Sequence, residues 1–553
     1  MRGKVALGGA AVAAAATTLV VVSVGTASAS GSLHLTSVPA ITKAAGYAPA
    51  SIVSPQLRQV PVVTGATALE NPAGIVTHYG YENDLPSPDD PTLPRMVPVA
   101  GGGGEAQKTE PDKNTYLVLS GQHGADAGYR YGTHFLFQGH EAGAPVTGGR
   151  QGYLTRVNLD ADSAHRVTLL ASKDSAGNPI APIDGSTWDP FAQRLLLTTE
   201  NATAPTYAAT ADFPSTVEDV SGALGRGGYE GVQNDADGNI WIVEDIGGAG
   251  KNGTTAKLPN SFVYRYVPAR PGDLHHGRLE ALQVLNGAGA AITLESQSAL
   301  MAPDQVALHT YGNTFRTRWV TIHDTGTDGT APFNANTAAK AAHATPFKRP
   351  ENGQFRPGSK FTEFYFDETG DTNATSPENG DAETGAGGAG GWGSIMKLTM
   401  SDPSADTGTL RPFFLGNIHV TGLDNVTFLS RDQVTFVEDA GDTLHTQRKA
   451  LDSGFVFDVT TDYSKITRPT RWLGEGRDAS ATLDAANGGF GKNDGDNEIT
   501  GVHVSDGDSG PHGLLGDKIP NLVNGAGKWR WFWTQQHGDN LTWEVTLAGT
   551  GKA

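Results

Sequence analysis

The sequence predicts an all-β fold, a β-propeller of about six blades with loops inserted between them. Three observations carry this expectation. A strand that runs into acidic or polar residues recurs. It is seen in Ile240-Trp241-Ile242-Val243-Glu244-Asp245 after the Asp237-Gly238 turn, in Leu195-Leu196-Leu197-Thr198-Thr199-Glu200 and in Phe364-Tyr365-Phe366-Asp367-Glu368. Val434-Thr435-Phe436-Val437-Glu438-Asp439 and the stretch from Trp529 to Gln536 repeat it. Each copy is preceded by a turn-rich stretch: Asp184-Gly185-Ser186, Tyr229-Glu230-Gly231, Arg349-Pro350-Glu351-Asn352-Gly353, Asp424-Asn425-Val426 and Glu498-Ile499-Thr500-Gly501. Most are followed by an alternating strand, such as Phe262 to Tyr266, Ser394 to Leu398, Phe455 to Val459 and Leu541 to Val545. A β-sandwich whose strands are alike by chance is the competing arrangement.

At the start of the chain, Arg2 and Lys4 precede an Ala- and Val-rich run from Val5 to about Val24 that closes on Ala27-Ser28-Ala29. Residues 1–29 therefore read as a secretory signal peptide cleaved near Ala29, and the expected product is secreted. No later apolar run approaches the roughly 20 residues that span a bilayer. Residues 30–113 read as an extended N-terminal segment and a surface loop. Pro39, Pro49, Pro55 and Pro61 oppose helix, and Glu82 to Lys113 is rich in Pro, Gly and Asp. The propeller is expected over residues 114–553, with His134 to Glu141 as a sixth strand with an acidic end. Insertions of low apolar content are expected at Ala331 to Lys348, which holds a helix-capable run from Thr337 to His343, at Thr372 to Gly391 and at Ala479 to Asp496.

Composition narrows the function classes. An exported chain with no cysteine has no disulfides and must rely on core burial, sheet closure and bound ions. The 72 glycines follow no three-residue period and serve turns. The formal charge of −19 becomes −21 once Arg2 and Lys4 are removed, which opposes nucleic-acid and anionic-membrane partners. Clustered carboxylates suit calcium instead. A small-molecule substrate and a monomeric protein are expected.

Propellers gather their inner strands round one axis, so strand-end acids far apart in sequence can converge. Glu141, Glu200, Glu230, Glu244, Glu351, Glu438 and Glu498 are the candidate ring. Converging carboxylates repel unless a cation neutralises them, which makes the pattern a metal expectation; the competing reading is that strand-end acids are turn residues. Other chemistries lack their motifs: there is no His-Glu-x-x-His, no Gly-x-Ser-x-Gly and no Walker loop, and Gly101 to Gly104 is not followed by Lys and a helix. Trp529, Trp531 and Trp533 alternate along one strand and read as packing between blades.

The ordered series Gly80-Tyr81-Glu82-Asn83-Asp84, Gly139-His140-Glu141, Asp184-Gly185-Ser186-Thr187-Trp188-Asp189-Pro190, Thr198-Thr199-Glu200-Asn201, Gly225-Arg226, Tyr229-Glu230, Val243-Glu244-Asp245, Tyr264 to Pro268, Arg318-Trp319-Val320, Arg349-Pro350-Glu351, Asp424-Asn425-Val426 and Val437-Glu438-Asp439 resembles the PhoX-type alkaline phosphatases. The resemblance runs from about Gly80 to Val545. It implies an exported six-bladed propeller that hydrolyses phosphate monoesters with calcium ions and an iron centre on its axis. Carried over by position, it implies Glu200, Glu230, Glu351 and Glu498 as axial metal ligands. Glu141, Glu244, Asp245, Glu438 and Asp439 match the family's acidic strand ends. Arg226 and either Lys348 or Arg349, adjacent to Glu230 and Glu351, are the candidate phosphate contacts; surface salt bridges are their competing role. Two departures stand out. Thr199 occupies the place of the family's iron-binding cysteine and cannot supply a thiolate, and Arg2 is followed by Gly3 rather than a second arginine. The expected function is a calcium-dependent, phosphatase-like hydrolase. A non-catalytic calcium-binding propeller acting as an extracellular binding module, or a propeller hydrolase of lactones or phytate, are the alternatives.

Overall fold

The computed structural model describes residues 31–43, 49–74, 76–81, 108–141, 145–146, 149–250, 256–466, 468–476, 498–525, 528–536 and 540–548. The expected signal peptide, the Gly101 to Gly104 run and the insertion from Ala479 to Asp496 lie outside these residues.

The described chain is all-β, with short helices between strands. Antiparallel pairing groups most strands in fours. The first unit holds Pro111–Val118, His134–His140, Tyr153–Asn158 and Val167–Ala171; the second holds Ser186–Asp189, Arg194–Leu197, Tyr207–Ala209 and Val217–Asp219. The third, Tyr229–Asn234, Ile240–Glu244, Val263–Pro268 and Gly277–Leu285, shares a nine-stranded sheet with the fourth, Gly353–Phe355, Glu363–Glu368, Ser394–Met400 and Thr407–Leu415. Phe315–Asp324 joins these two by pairing with the outer strand of each. Leu423–Phe428, Gln433–Glu438, Ser453–Asp458 and Thr470–Gly474 form the fifth unit, with Ile52–Val53 added at its edge. In the sixth, Glu498–Ser505, Arg530–Gln536 and Leu541–Leu547 are completed by Leu57–Val63 from near the other end of the chain.

These units close into a ring. Pro111–Val118 lies against Ser186–Asp189, which lies against Tyr229–Asn234. The series continues through Gly353–Phe355, Leu423–Phe428 and Glu498–Ser505 back to Pro111–Val118. Between each neighbouring pair sits an apolar layer. Phe137 and Leu154 meet Leu195 and Tyr207, Leu196 and Ala208 meet Ile242 and Tyr264, and Trp241 and Val263 meet Phe364 and Met396. Tyr365 and Phe414 meet Phe428 and Phe457, Val437 and Trp472 meet Trp531, and Val63 and Phe532 meet Tyr116 and Val157. The alternating tryptophans therefore pack as expected: Trp531 stacks at a tilt on Trp472 with ring centroids 4.4 Å apart.

Two sequence expectations are revised. The turn-rich stretches are the innermost strands themselves. Their Gly, Asp and Asn residues hide a strand because these strands line a polar axis and kink: the register shifts within 111–114, 229–232, 423–426 and 500–503, as β-bulges do. The segment read as an extended lead-in supplies ring strands, since Leu57–Val63 completes the sixth unit and Pro111–Val118 straddles residue 114. The helix-capable run does form helix Ala335–Ala341, capped by Asn334, whose Oδ1 accepts the Thr337 amide at 2.7 Å.

Because Trp531 is buried between two units, Trp531→Ala is expected to cost about 3–5 kcal/mol by the loss of packing and the cavity left behind. Urea unfolding followed by fluorescence measures this, and a cost below about 1 kcal/mol would show that the interface does not carry the ring's stability.

Candidate metal centre

The register shifts re-aim the inner strands so that acids arrive at one end of the axis. Glu230 comes from strand Tyr229–Asn234, Glu351 stands just before Gly353–Phe355, and Asp184 just before Ser186–Asp189. Second strands deliver Glu141, Glu200 and Asp245 just past their ends at His140, Leu197 and Glu244. Carboxylate oxygens of Glu200, Glu230, Asp245 and Glu351 lie within 4.8 Å of one another, and those of Glu141, Asp184 and Glu200 do so in a second group. Glu200 belongs to both and is exposed, whereas Glu230, Asp245 and Glu351 are buried. The cluster thus has a mouth at Glu141 and Glu200 and a buried floor.

The floor continues into Asp112, Asp424 and Asp367, all buried. Asp112 accepts from the Thr500 hydroxyl, Asp424 accepts Asn425 Nδ2 at 2.9 Å, and Asp367 accepts the Asn352 amide at 2.8 Å. Several of these acids meet carboxyl to carboxyl: Glu200 with Asp245, Glu230 with Glu351 and Asp424, and Asp112 with Asp184. Each such contact requires a shared proton or a cation. Burial, reinforced by neighbouring carboxylates, pushes Asp112, Asp184, Glu230 and Glu351 well above the usual carboxylate range; Glu200, exposed as a residue but with its carboxyl end enclosed against Asp245, Glu141 and Glu351, moves the same way.

Two cations of the chain itself stand close by. Arg349 donates from Nε to both Asp245 oxygens at 2.9 Å and from a terminal nitrogen to Oδ2 at 2.6 Å, and lies 3.2 Å from Glu351 Oε1. Burial disfavours the Asp245 charge, yet the guanidinium prevails and holds that carboxyl below its ordinary value. At the floor, Lys113 Nζ donates to Asn425 Oδ1 at 2.8 Å; burial lowers its pKa against the pull of Asp424 and Asp112. Two cations do not balance this many acids. All-oxygen donors at this spacing fit a hard divalent cation. They do not fit a thiolate-bound iron, because the Thr199 hydroxyl is buried and donates to the Pro205 carbonyl at 3.2 Å.

Of the acids picked from sequence, Glu141, Glu200, Glu230, Asp245 and Glu351 converge. Glu244 points away from its neighbour Asp245 and accepts from the Phe262 amide, the Tyr264 hydroxyl and Asn336 at 2.9–3.0 Å; burial pushes it up to about 7. Glu438 is held by Arg448 at 2.7 Å and by the Thr421 amide at 3.0 Å. Asp439 is half-buried at that strand end, where its amide donates to Gly422. Glu498 is buried opposite Gln536 and stands outside both groups. Among the basic candidates only Arg349 reaches the cluster. Arg226 pairs with Asp219 at 3.1 Å, and buried Lys348 binds Asp371 at 3.1 Å and Glu378. Asp184, Asp112, Asp424, Asp367 and Lys113 were missed. The first and third of these stand in stretches read as turns, so the repeat of an acid at the head of each such stretch was the available signal.

No protein-family model matches the chain, and no curated protein matches it by sequence. Among solved structures, Pseudomonas fluorescens PhoX in complex with vanadate, a transition state analogue, is similar with a TM-score of 0.55 at 11% identity, over 93% of this chain and 98% of that one. The Pseudomonas aeruginosa periplasmic gluconolactonase PpgL aligns over 89% of this chain and 100% of that one, at 11% identity and a TM-score of 0.32. The first likeness shows a PhoX-like propeller fold.

A carboxyl whose folded pKa lies above its unfolded value stabilises the fold fully below the unfolded value, about 4 to 4.5, and loses that contribution as pH rises through the folded value. In chelator, the melting temperature is therefore expected to fall as pH rises above about 4.5, with Glu244 contributing up to about 7. Calcium at the upper pH should restore several degrees. A melting temperature that rises with pH in chelator would contradict the uncompensated cluster.

Proposed function

We propose that the chain is a secreted, calcium-dependent hydrolase of phosphate monoesters, built on a six-bladed propeller in which each four-stranded unit is one blade. The observation that carries this reading is the convergence of six carboxylates, Glu141, Asp184, Glu200, Glu230, Asp245 and Glu351, beside the single guanidinium of Arg349. An acid cluster alone attracts a cation; an acid cluster with a forked donor against it suits a cation together with an anionic ligand. Likeness of fold to a PhoX that was captured with vanadate, a transition state analogue, supports phosphoryl chemistry as the reading of this site. The signal-peptide pattern ending at Ala29 supports secretion.

Calcium held by these residues supplies charge neutralisation, polarisation of a phosphoryl oxygen and acidification of a bound water. The chain's own residues do the rest. Glu200, Glu230, Asp245 and Glu351 would hold one ion and Glu141, Asp184 and Glu200 a second, with Glu200 the exposed member of both groups. Arg349 presents parallel N–H groups that match two phosphoryl oxygens. Gln536, donating from Nε2 to Glu141 Oε2 at 2.7 Å, and Asn352, donating to Glu230 Oε1 at 3.0 Å, orient ligand carboxylates so that their remaining lone pairs face the ion. No step passes through iron.

The purified protein is expected to release p-nitrophenol from p-nitrophenyl phosphate with calcium and to stop in chelator. Glu230→Gln should lower calcium affinity by roughly tenfold to a hundredfold, measured by calorimetry. Unchanged affinity in that variant would remove Glu230 from the site. Calcium binding without turnover would assign a binding role instead, the reading that the committed Thr199 hydroxyl favours.

A further inference from the structure

Arg349 and a metal ion have claims on the same carboxylates. Asp245 and Glu351 belong to the four-acid group, yet Asp245 already accepts three N–H contacts from the guanidinium and Glu351 stands 3.2 Å from it. The backbone that carries this side chain is pinned. Arg349 sits at φ +59°, a left-handed conformation that is unfavourable for a non-glycine residue. It is held there by the Thr369 amide on the Arg349 carbonyl at 2.8 Å, by the Gly370 amide on the Lys348 carbonyl at 3.2 Å, and by the Lys348 amide on Glu368 at 2.8 Å. Lys348 reinforces the hold through Asp371 and Glu378, which belong to the segment that follows. The guanidinium is only 16% exposed, and besides Asp245 and Glu351 it feels the charge of Glu200, the exposed member of the four-acid group.

We propose that Arg349 is an exchangeable counter-ion. A divalent cation entering the four-acid group displaces the guanidinium from Asp245, and the freed fork then binds the anionic ligand at the mouth. Cation and anion are thereby coupled: the anion finds its arginine only after the cation has replaced it. Without the cation, the arginine satisfies Asp245 and the acidic mouth repels anions. Lys348 is the positioning residue that fixes where the fork can reach. The proposal rests on the phosphate-ester reading for its anion, but the exchange itself concerns only Arg349, Asp245 and the metal.

The test is calorimetry on the full-length purified protein and on Arg349→Met, with calcium chloride and inorganic phosphate as probes, each titrated at several concentrations of the other. In the wild type, saturating calcium should tighten phosphate binding by roughly tenfold to a hundredfold, and phosphate should tighten calcium binding by the same factor. In Arg349→Met, calcium should bind about tenfold more tightly because its competitor is gone, and the coupling with phosphate should shrink to what direct contact between the two ions supplies. Calcium affinity that falls or stays constant in the variant overturns the exchange. A structure of the calcium-loaded wild type gives an independent reading that needs no variant: the guanidinium should have left Asp245, and finding it still clamped there overturns the proposal. Phosphate that fails to bind the wild type at every calcium concentration refutes the phosphate-ester reading instead, while the calcium affinity of the variant still decides the exchange.

Discussion

The convergence of carboxylates on the axis depends on closure of the ring, and closure rests on the ladder between Leu57–Val63 and Leu541–Leu547. Each unit buries one face against each neighbour, so the first and sixth units each keep an apolar face uncovered until they meet through Val63 and Phe532. Like charges are pressed together at the centre while apolar surface is buried between the units. The second gain compensates the first cost only because the ring has no open side.

The strands were legible where side chains do the work of a strand. Ile240–Glu244, Gln433–Glu438 and Arg530–Gln536 are rich in β-branched and aromatic residues because both their faces are covered by neighbouring units. The inner strands were not legible, because a strand that faces a polar axis and carries a bulge needs Gly, Asp and Asn, the residues of turns. Which member of an acidic pair reaches the axis was equally hidden. Glu244 and Asp245 are neighbours whose side chains diverge, as period-two geometry requires, and the sequence shows the pair without the register.

Compensation, more than acidity, separates the axial site from the other buried acids. Glu438 is paired with Arg448, and Glu280 with Arg265 and Arg278. These arrangements are finished without any ligand. On the axis, carboxyls meet one another instead, and Asp367 Oδ2 is buried with no hydrogen-bond partner. Buried acids raised by one another are what a cation site looks like before the cation is counted. That difference could not be read from composition, since Val437-Glu438-Asp439 and Val243-Glu244-Asp245 are alike in sequence.

The closing ladder also bears on how the protein is made. Val60 pairs with Glu544, so a segment that leaves the ribosome early has no partner until almost the whole chain has followed. Contacts of such sequence separation are slow to form and leave an unpaired strand edge in the meantime. During synthesis the ring stays open, and with it the axial cluster, whose acids are then separate and hydrated. A chain of this design reaches its final form after synthesis rather than during it. A cation on the axis would be taken up only in the compartment where the two ends meet.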